Sequence, residues 1–200
     1  CDCASSGSNG LCKAGYYTGE FRGEWRPCAF DLGGNLILVT ADIEALGTPD
    51  KPGLALTLEA KTNMGEEFST YEVKNGCVVG TATAFGLDSH PFVASMTGEL
   101  DCKTGKFEGV LDGKYYLFNT GELSVWYFSG PLTANFAVEG AKLDEGVWDM
   151  REKQTKPEED PGAGGEGTWG AAWQSNEGPS LPQECLDFLN GGGPDAGAGG

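Results

Sequence analysis

Cysteine is the residue type in this sequence with the most varied chemistry, since a thiol can form a disulfide, bind a metal or carry a lipid. There are seven cysteines, and an odd number in an exported protein leaves one thiol to be explained. Zinc is only weakly indicated, because no Cys-x-x-Cys pair occurs and His90 is the single histidine. Reduced core thiols of a cytosolic protein are the alternative, but Cys3, Cys12 and Cys185 lie in polar stretches rich in Gly, Ser or Pro.

Cys1 is the first residue, and the Ser/Gly-rich stretch DCASSG follows it. On these residues the chain resembles mature bacterial lipoproteins, whose first residue is the cysteine left after cleavage of the signal peptide. The resemblance implies a diacylglyceryl group on Cys1 and an anchor to a membrane at the periplasm or the cell surface. A fragment boundary that happens to fall at a cysteine is the alternative.

With Cys1 lipidated, the remaining cysteines can close three disulfides. They are Cys3, Cys12, Cys28, Cys77, Cys102 and Cys185. The expected pairs are Cys3–Cys12, which closes a short polar loop, Cys77–Cys102, which joins neighbouring strands, and Cys28–Cys185, which pins the tail.

Groups for acid–base, nucleophilic or metal chemistry are weakly indicated. His90 lies in the turn-like stretch DSHP, where a structural role is the simpler interpretation. The 30 Asp and Glu residues would supply the carboxylate pair of a hydrolase, but so many acids give little specificity. Those on predicted strands, expected to point outward, are Glu20, Glu24, Glu99 and Glu122. No calcium loop of the EF-hand type occurs, so calcium stays open and no cofactor is predicted beyond the lipid.

Aromatic side chains are concentrated on predicted strands, and some of them could bind a ligand. The candidates are Tyr16, Trp25, Tyr116, Trp126 and Phe128. Adjacent strand positions face opposite ways, so members of each cluster form either an exposed platform for sugar or protein, or a strand buried on both faces. The tripeptide Gly23-Glu24-Trp25 is similar to the Gly-x-Trp of lipocalin-like barrels, which motivates a ligand-barrel alternative.

Period-two alternation predicts the strands that must position these groups. Residues 54–60 alternate between apolar and polar, whereas residues 36–43 are apolar on both faces and predict a central strand buried on both sides. Turn signals such as Asn75-Gly76, Asp112-Gly113 and Asn119-Thr120-Gly121 separate the runs. The pattern predicts an all-β antiparallel sandwich or barrel-like meander.

A Thr-Gly-charged-apolar motif recurs at residues 18–21, 97–100, 104–107 and 120–123. Glycine at a fixed strand position marks a bulge, a bend or close approach by a packed aromatic, so the repeat is interpreted as architectural. The segments TGELDCKTGKFEGVLDGKY, FSGPLTANF and LDEGVWDM resemble Gly-spaced, β-rich secreted or lipid-anchored proteins of myxobacteria. That resemblance implies location and fold and carries no catalytic residues.

The domain organisation follows from composition. We expect a lipid-anchored tether at 1–15, an antiparallel β domain at 16–150, an acidic Pro/Gly linker at 151–168, and at 169–200 a docked C-terminal segment ending in a Gly-rich tail. The net charge of −17 excludes nucleic-acid binding, because phosphate backbones would be repelled.

The function predicted from the sequence is a non-enzymatic surface or periplasmic lipoprotein acting as a structural, adhesive or assembly component. A glycan- or small-ligand-binding β module is the first alternative, and a carboxylate-based hydrolase is the second. Protein partners or self-assembly are expected because the tail GGGPDAGAGG has little apolar surface to offset the entropic cost of ordering it.

Overall fold

The chain folds into a closed antiparallel β barrel, which confirms the predicted all-β, barrel-like class. The structure, a computed structural model, describes residues 12–32, 35–48, 51–61, 70–84, 88–119, 122–153, 163–179, 181 and 183–189. Residues 1–11 of the predicted tether, residues 154–162 of the linker and the Gly-rich tail therefore lie outside the described residues.

Twelve strands and one helix make up this part of the chain. The strands are β1 (Gly15–Leu32), β2 (Asn35–Ala45), β3 (Gly47–Thr48), β4 (Lys51–Pro52), β5 (Leu54–Ala60), β6 (Thr70–Val73), β7 (Gly76–Ala84), β8 (Asp88–Asp101), β9 (Lys106–Asn119), β10 (Glu122–Ala137), β11 (Lys142–Glu152) and β12 (Gly164–Ser175). The helix is α1 (Gln183–Leu189).

The barrel is an up-and-down meander over its second half. Its strand order is β1-β12-β11-β10-β9-β8-β6-β5-β7-β2, and β2 closes the ring by pairing with β1. Strands β3 and β4 form a separate two-stranded sheet. Closure pairs the outer strands of the sheet with one another, with β2 bonded to β1 along most of its length and to β7 at residues 42–44.

Antiparallel pairing brings the connections between four pairs of consecutive strands to one end of the barrel. Strands β1, β7, β9 and β11 end, and β2, β8, β10 and β12 begin, at the same end of the barrel. We refer to it as the hairpin end.

Side chains alternate between the barrel interior and solvent along each strand, as the pleat requires. In β11, Leu143, Trp148 and Met150 are buried, while Val147 and Asp149 between them are exposed. Large apolar side chains from all around the ring meet inside in one hydrophobic cluster. Each fully buried side chain of this size contributes about 1.5–3 kcal/mol, so the filled interior is the main source of stability.

The prediction that residues 36–43 are buried on both faces is wrong. Ala41 and Ile43 point inward and are buried, but Leu38 is 66% exposed and Thr40 and Asp42 also face solvent. A strand in a barrel has one face toward the interior and one toward solvent, so an apolar run does not imply a second covering layer here.

The β domain does not end at residue 150 but continues to Ser175, because β12 is hydrogen-bonded between β11 and β1. Residues 164–175 had been divided between the linker and the C-terminal segment. The inward positions of this strand include Gly165 and Gly167 as well as Trp169 and Ala171. Glycines interrupt the apolar alternation, which is why composition suggested a linker.

Two disulfides close within the described residues, and neither is an expected pair. Cys12 joins Cys102, with 5.2 Å between their Cα atoms, and Cys77 joins Cys185, with 6.0 Å between theirs. The predictions of Cys77–Cys102 and Cys28–Cys185 are therefore wrong, and Cys12 is not available for Cys3.

The geometry explains both errors. Cys77 points outward from β7 toward α1, whereas Cys102 lies in the turn after β8 and faces the segment that leads into β1. Cys3 and the side chain of Cys28 lie outside the described residues. Disulfides of this kind are typical of proteins in oxidising compartments, and the pair indicates an extracytoplasmic environment.

The C-terminal segment docks on the outer face of the barrel, as predicted. Helix α1 packs against Cys77 and Val93 through Cys185 and Phe188, and the ammonium group of Lys114 lies 5.1 Å from the Phe188 ring. The helix therefore buries outward-facing side chains of β7 and β8, such as Cys77 and Val93.

Candidate ligand-binding cavity

An apolar cavity lies inside the barrel, toward the hairpin end. Its volume is about 30 Å³, more than the ~10–15 Å³ that one water molecule needs. The lining side chains come from seven strands, and six of the nine are aromatic. They are Phe21, Trp25, Ile43, Ala82, Phe92, Tyr115, Phe128, Trp148 and Met150. Such a wall favours apolar or aromatic groups over charged ones.

Trp148 lies on one wall of the cavity, over glycines of β1 and β12. A Cβ atom at Gly23 would lie 2.2 Å from its Cζ2 atom, and one at Gly167 would lie 2.7 Å from its Cε2 atom. The absence of side chains lets the indole lie flat against the sheet, where its N–H donates to the Arg22 carbonyl oxygen at 2.9 Å. Phe21 stacks on its other face, with 4.7 Å between ring centroids.

The remaining rings meet mostly edge to face around the cavity. Trp25 contacts Tyr115 and Phe128 with centroid separations of 5.7 Å each, and Phe128 meets Phe92 at 6.2 Å. Edge-to-face pairs are favourable by about 0.5–1.5 kcal/mol beyond the area that they bury. A ligand entering between these rings would exchange such contacts for its own.

Trp25 differs in its hydrogen bonding from the tryptophans at residues 148, 169 and 173. Indole N–H groups of Trp148, Trp169 and Trp173 all donate to backbone carbonyl oxygens, at 2.9–3.1 Å. Trp25 is 6% exposed, yet its N–H has no acceptor within the described part of the chain. An unsatisfied buried donor costs about 1–3 kcal/mol, so this one calls for an explanation.

Polar and half-exposed groups lie beyond the cavity at the hairpin end. The Tyr115 hydroxyl donates to a Glu152 carboxylate oxygen at 3.3 Å, and Glu152 shares its sheet face with Phe128. Trp126 is paired with Tyr115 across β9 and β10 and is 41% exposed. A part of a ligand that extends out of the cavity would therefore meet the exposed ring of Trp126.

The structure separates the aromatic residues that the sequence had grouped. Trp25 and Phe128 line the cavity, and Trp126 is the exposed member at its end of the barrel. Tyr16 and Tyr116 are buried although they point outward. The C-terminal segment accounts for Tyr16, since Gly178 lies against its ring.

Sequence reasoning missed most of the wall. Phe92, Trp148 and Met150 are not among the residues predicted from the sequence, although Trp148 and Met150 alternate with polar residues in the segment LDEGVWDM. The alternation identifies inward positions, but only the register between strands shows which of them meet around the cavity.

The hydrolase alternative depends on carboxyl groups with a perturbed pKa. Hydrogen bonds from neighbouring groups lower the pKa of Glu72, Asp101 and Asp144. For Asp101 the main cause is the backbone N–H of Lys103, which donates to its carboxylate. A general acid would need a raised pKa instead. Glu20, Glu24 and Glu99 are exposed, as predicted, and the Glu122 side chain is not described.

His90 was the one histidine that could have served as a catalytic base or metal ligand. His90 is buried and points into the barrel, since it pairs with the inward-facing Ala82. Among the described residues, no group of three or more His, Cys, Asp or Glu side chains is placed to hold a metal ion. None of the helices in the same ranges is long and apolar enough to cross a membrane.

Comparison with models of protein families found no match. A search of curated proteins likewise found none.

Proposed function

We propose that this protein is a non-enzymatic binding module that takes a small, mostly apolar molecule into the hairpin end of its barrel. The observation that carries the proposal is the cavity enclosed by six aromatic side chains. The interior of a barrel with a purely structural role is expected to pack without such a space, because protein cores have few voids larger than a water molecule.

The size of the cavity limits how a ligand enters. About 30 Å³ accepts only a few atoms, so a larger ligand must displace part of the wall. Met150 is the most adaptable side chain of the wall, since its thioether has several rotatable bonds. A molecule that buries one end among the rings, with its other end near Trp126 and Glu152, would need the least rearrangement.

The proposed setting is extracytoplasmic, with the chain anchored to a membrane through a lipid on Cys1. The disulfides support an oxidising compartment. Intact-mass analysis of protein from its own cells should find a diacylglyceryl group on the first peptide. An unmodified Cys1 with a free amine would contradict the anchor but would leave ligand binding untouched.

Filling the cavity tests the binding function. Ala82 lines the cavity from β7 and is buried, so Ala82→Leu places a larger side chain in the space. Titration with toluene and methylenecyclopentane, followed by tryptophan fluorescence, should show saturable binding to the wild type and at least 10-fold weaker binding to this variant.

The matched control is Thr81→Leu, which adds an apolar side chain to the outer face of the same strand. It should bind both probes as the wild type does. Equal binding by all three proteins, or none by the wild type, would contradict the proposed function.

A structural or assembly role is the second candidate, and exposed apolar side chains on the barrel exterior favour it. Val125 and Tyr127 on β10 are 41% and 50% exposed, and such groups can contact another protein. The test compares particle size by light scattering for the intact chain, a chain lacking residues 191–200, and Val125→Ser/Tyr127→Ser. A monomeric intact chain at working concentration would contradict self-assembly.

A further inference from the structure

The unsatisfied indole N–H of Trp25 indicates which ligands the cavity selects. Trp25 belongs to the cavity wall, is nine-tenths buried and has no acceptor in the described ranges. Trp148 provides an internal comparison, since it lines the same cavity but donates to the Arg22 carbonyl oxygen. Of the two indoles on the wall, Trp25 is therefore the one whose N–H is unbonded among the residues that the structure describes.

Resting on the proposed function, we infer that Trp25 donates a hydrogen bond to an acceptor oxygen of the bound molecule. The ligand class is then a small apolar molecule with a carbonyl group, such as a ketone, ester or amide, at its buried end. Without that oxygen the donor stays unsatisfied in the complex, and a pure hydrocarbon gains nothing from it.

The surroundings of Trp25 favour a neutral acceptor over an anion. Its ring packs against the aromatic side chains of Tyr115 and Phe128, and a carboxylate on the same sheet face, that of Glu152, accepts a hydrogen bond from the Tyr115 hydroxyl. An anionic oxygen would have to leave water for aromatic surroundings near a negative group, which is costly. A carbonyl oxygen has a much smaller desolvation penalty.

A hydrogen bond from Trp25 to the carbonyl oxygen also fixes the orientation of the ligand in the cavity. Edge-to-face contacts at 5.7 Å bring the Trp25 ring against Tyr115 and Phe128, and a ligand inserted there replaces these contacts. The apolar part of the ligand then lies among Phe21, Phe92 and Met150, which line the rest of the cavity.

The experiment compares two probes of nearly equal shape, cyclopentanone and methylenecyclopentane, on the intact protein. Their absolute affinities differ because water solvates the ketone better, so the measured quantity is the ratio of their dissociation constants. Removing the indole N–H by Trp25→Phe should change this ratio against the ketone by about 3- to 10-fold, the range that one net hydrogen bond supplies. Trp169→Phe, which removes an indole N–H that donates to the Thr133 carbonyl oxygen and lies outside the cavity wall, should leave the ratio unchanged.

A spectroscopic readout keeps the test independent of the variants' folding. The indole N–H resonance of Trp25 in wild-type protein, assigned through NOEs to Tyr115 and Phe128, should move downfield on titration with cyclopentanone. It should not move downfield with methylenecyclopentane.

Binding of both probes with an unchanged ratio in Trp25→Phe, or an equal change in Trp169→Phe, would overturn the inference and leave the proposed function standing. A static indole resonance at saturating ketone would do the same. Binding of neither probe to the wild type would overturn the proposed function, and the inference with it.

Discussion

At the scale of single residues, the barrel interior is built from pairs of a large ring and a missing side chain. Trp148 lies over Gly23 and Gly167, and the Phe107 ring lies against Gly98 in the same way. The second pair belongs to the Thr-Gly-charged-apolar motif, which supports its architectural interpretation. Glycine weakens a strand by itself, but here it creates the space that a buried aromatic fills.

Gly23→Ala should therefore destabilise the protein strongly. Its Cβ atom would meet both the Trp148 ring at 2.2 Å and the Glu166 carbonyl oxygen at 2.4 Å. Overpacking of this kind costs about 1–3 kcal/mol, to be measured as the change in unfolding free energy in urea. Gly170→Ala is the control, because its nearest atom is the Leu143 carbonyl oxygen at 3.2 Å. Equal losses for both variants would contradict the packing argument.

The buried phenol of Tyr116 makes the free energy of unfolding fall as the pH rises in the alkaline range. Burial raises its pKa from about 10 to about 12, because the neutral phenol is favoured in the folded state. Its contribution is fully present below pH 10 and is lost as the pH rises from 10 toward 12. Tyr116→Phe should flatten the fall in unfolding free energy over this window. Identical pH profiles for wild type and Tyr116→Phe would show that the phenol is not protected.

At the scale of elements, the two disulfides fasten segments that the barrel alone would not hold. Cys12–Cys102 ties the segment before β1 to the β8–β9 turn, and Cys77–Cys185 ties α1 to β7. A helix of seven residues is far below the length at which isolated helices are stable. We therefore attribute the order of α1 to its disulfide and to its apolar contacts with the barrel.

Removing one disulfide at a time separates these roles. Cys77→Ala/Cys185→Ala and Cys12→Ala/Cys102→Ala should each lower stability by about 4–5 kcal/mol in the chain-entropy model, since both loops are long. Only the first should raise amide hydrogen exchange within α1 toward the unprotected rate. Retained protection of α1 in that variant would contradict its dependence on the disulfide. Non-reducing peptide mapping of the wild type checks the pairing itself.

At the scale of the whole molecule, the local sequence pattern predicts which side chains point inward, but it does not predict which distant strands pair. Alternation at Leu54, Leu56 and Leu58 identified inward positions, and all three are fully buried. Closure of the barrel was not predictable in the same way, because β12 has glycines where apolar residues would alternate.

The candidate site was predictable only in part. Trp25 and Phe128 were singled out as aromatic residues, but their meeting depends on the order of strands around the ring. The predicted disulfide pairs are wrong for the same reason, since the bonded Cys77 and Cys185 are separated by 108 positions in the sequence. Local sequence carries no information about such register.

The most direct test of the account asks where a bound molecule lies. The account predicts that toluene, added to isotopically labelled wild-type protein, gives intermolecular NOEs to the methyl groups of Ala82, Ile43 and Met150, which line the cavity. NOEs confined to Val110, Val125 and Val147, whose side chains are exposed on the exterior, would contradict it.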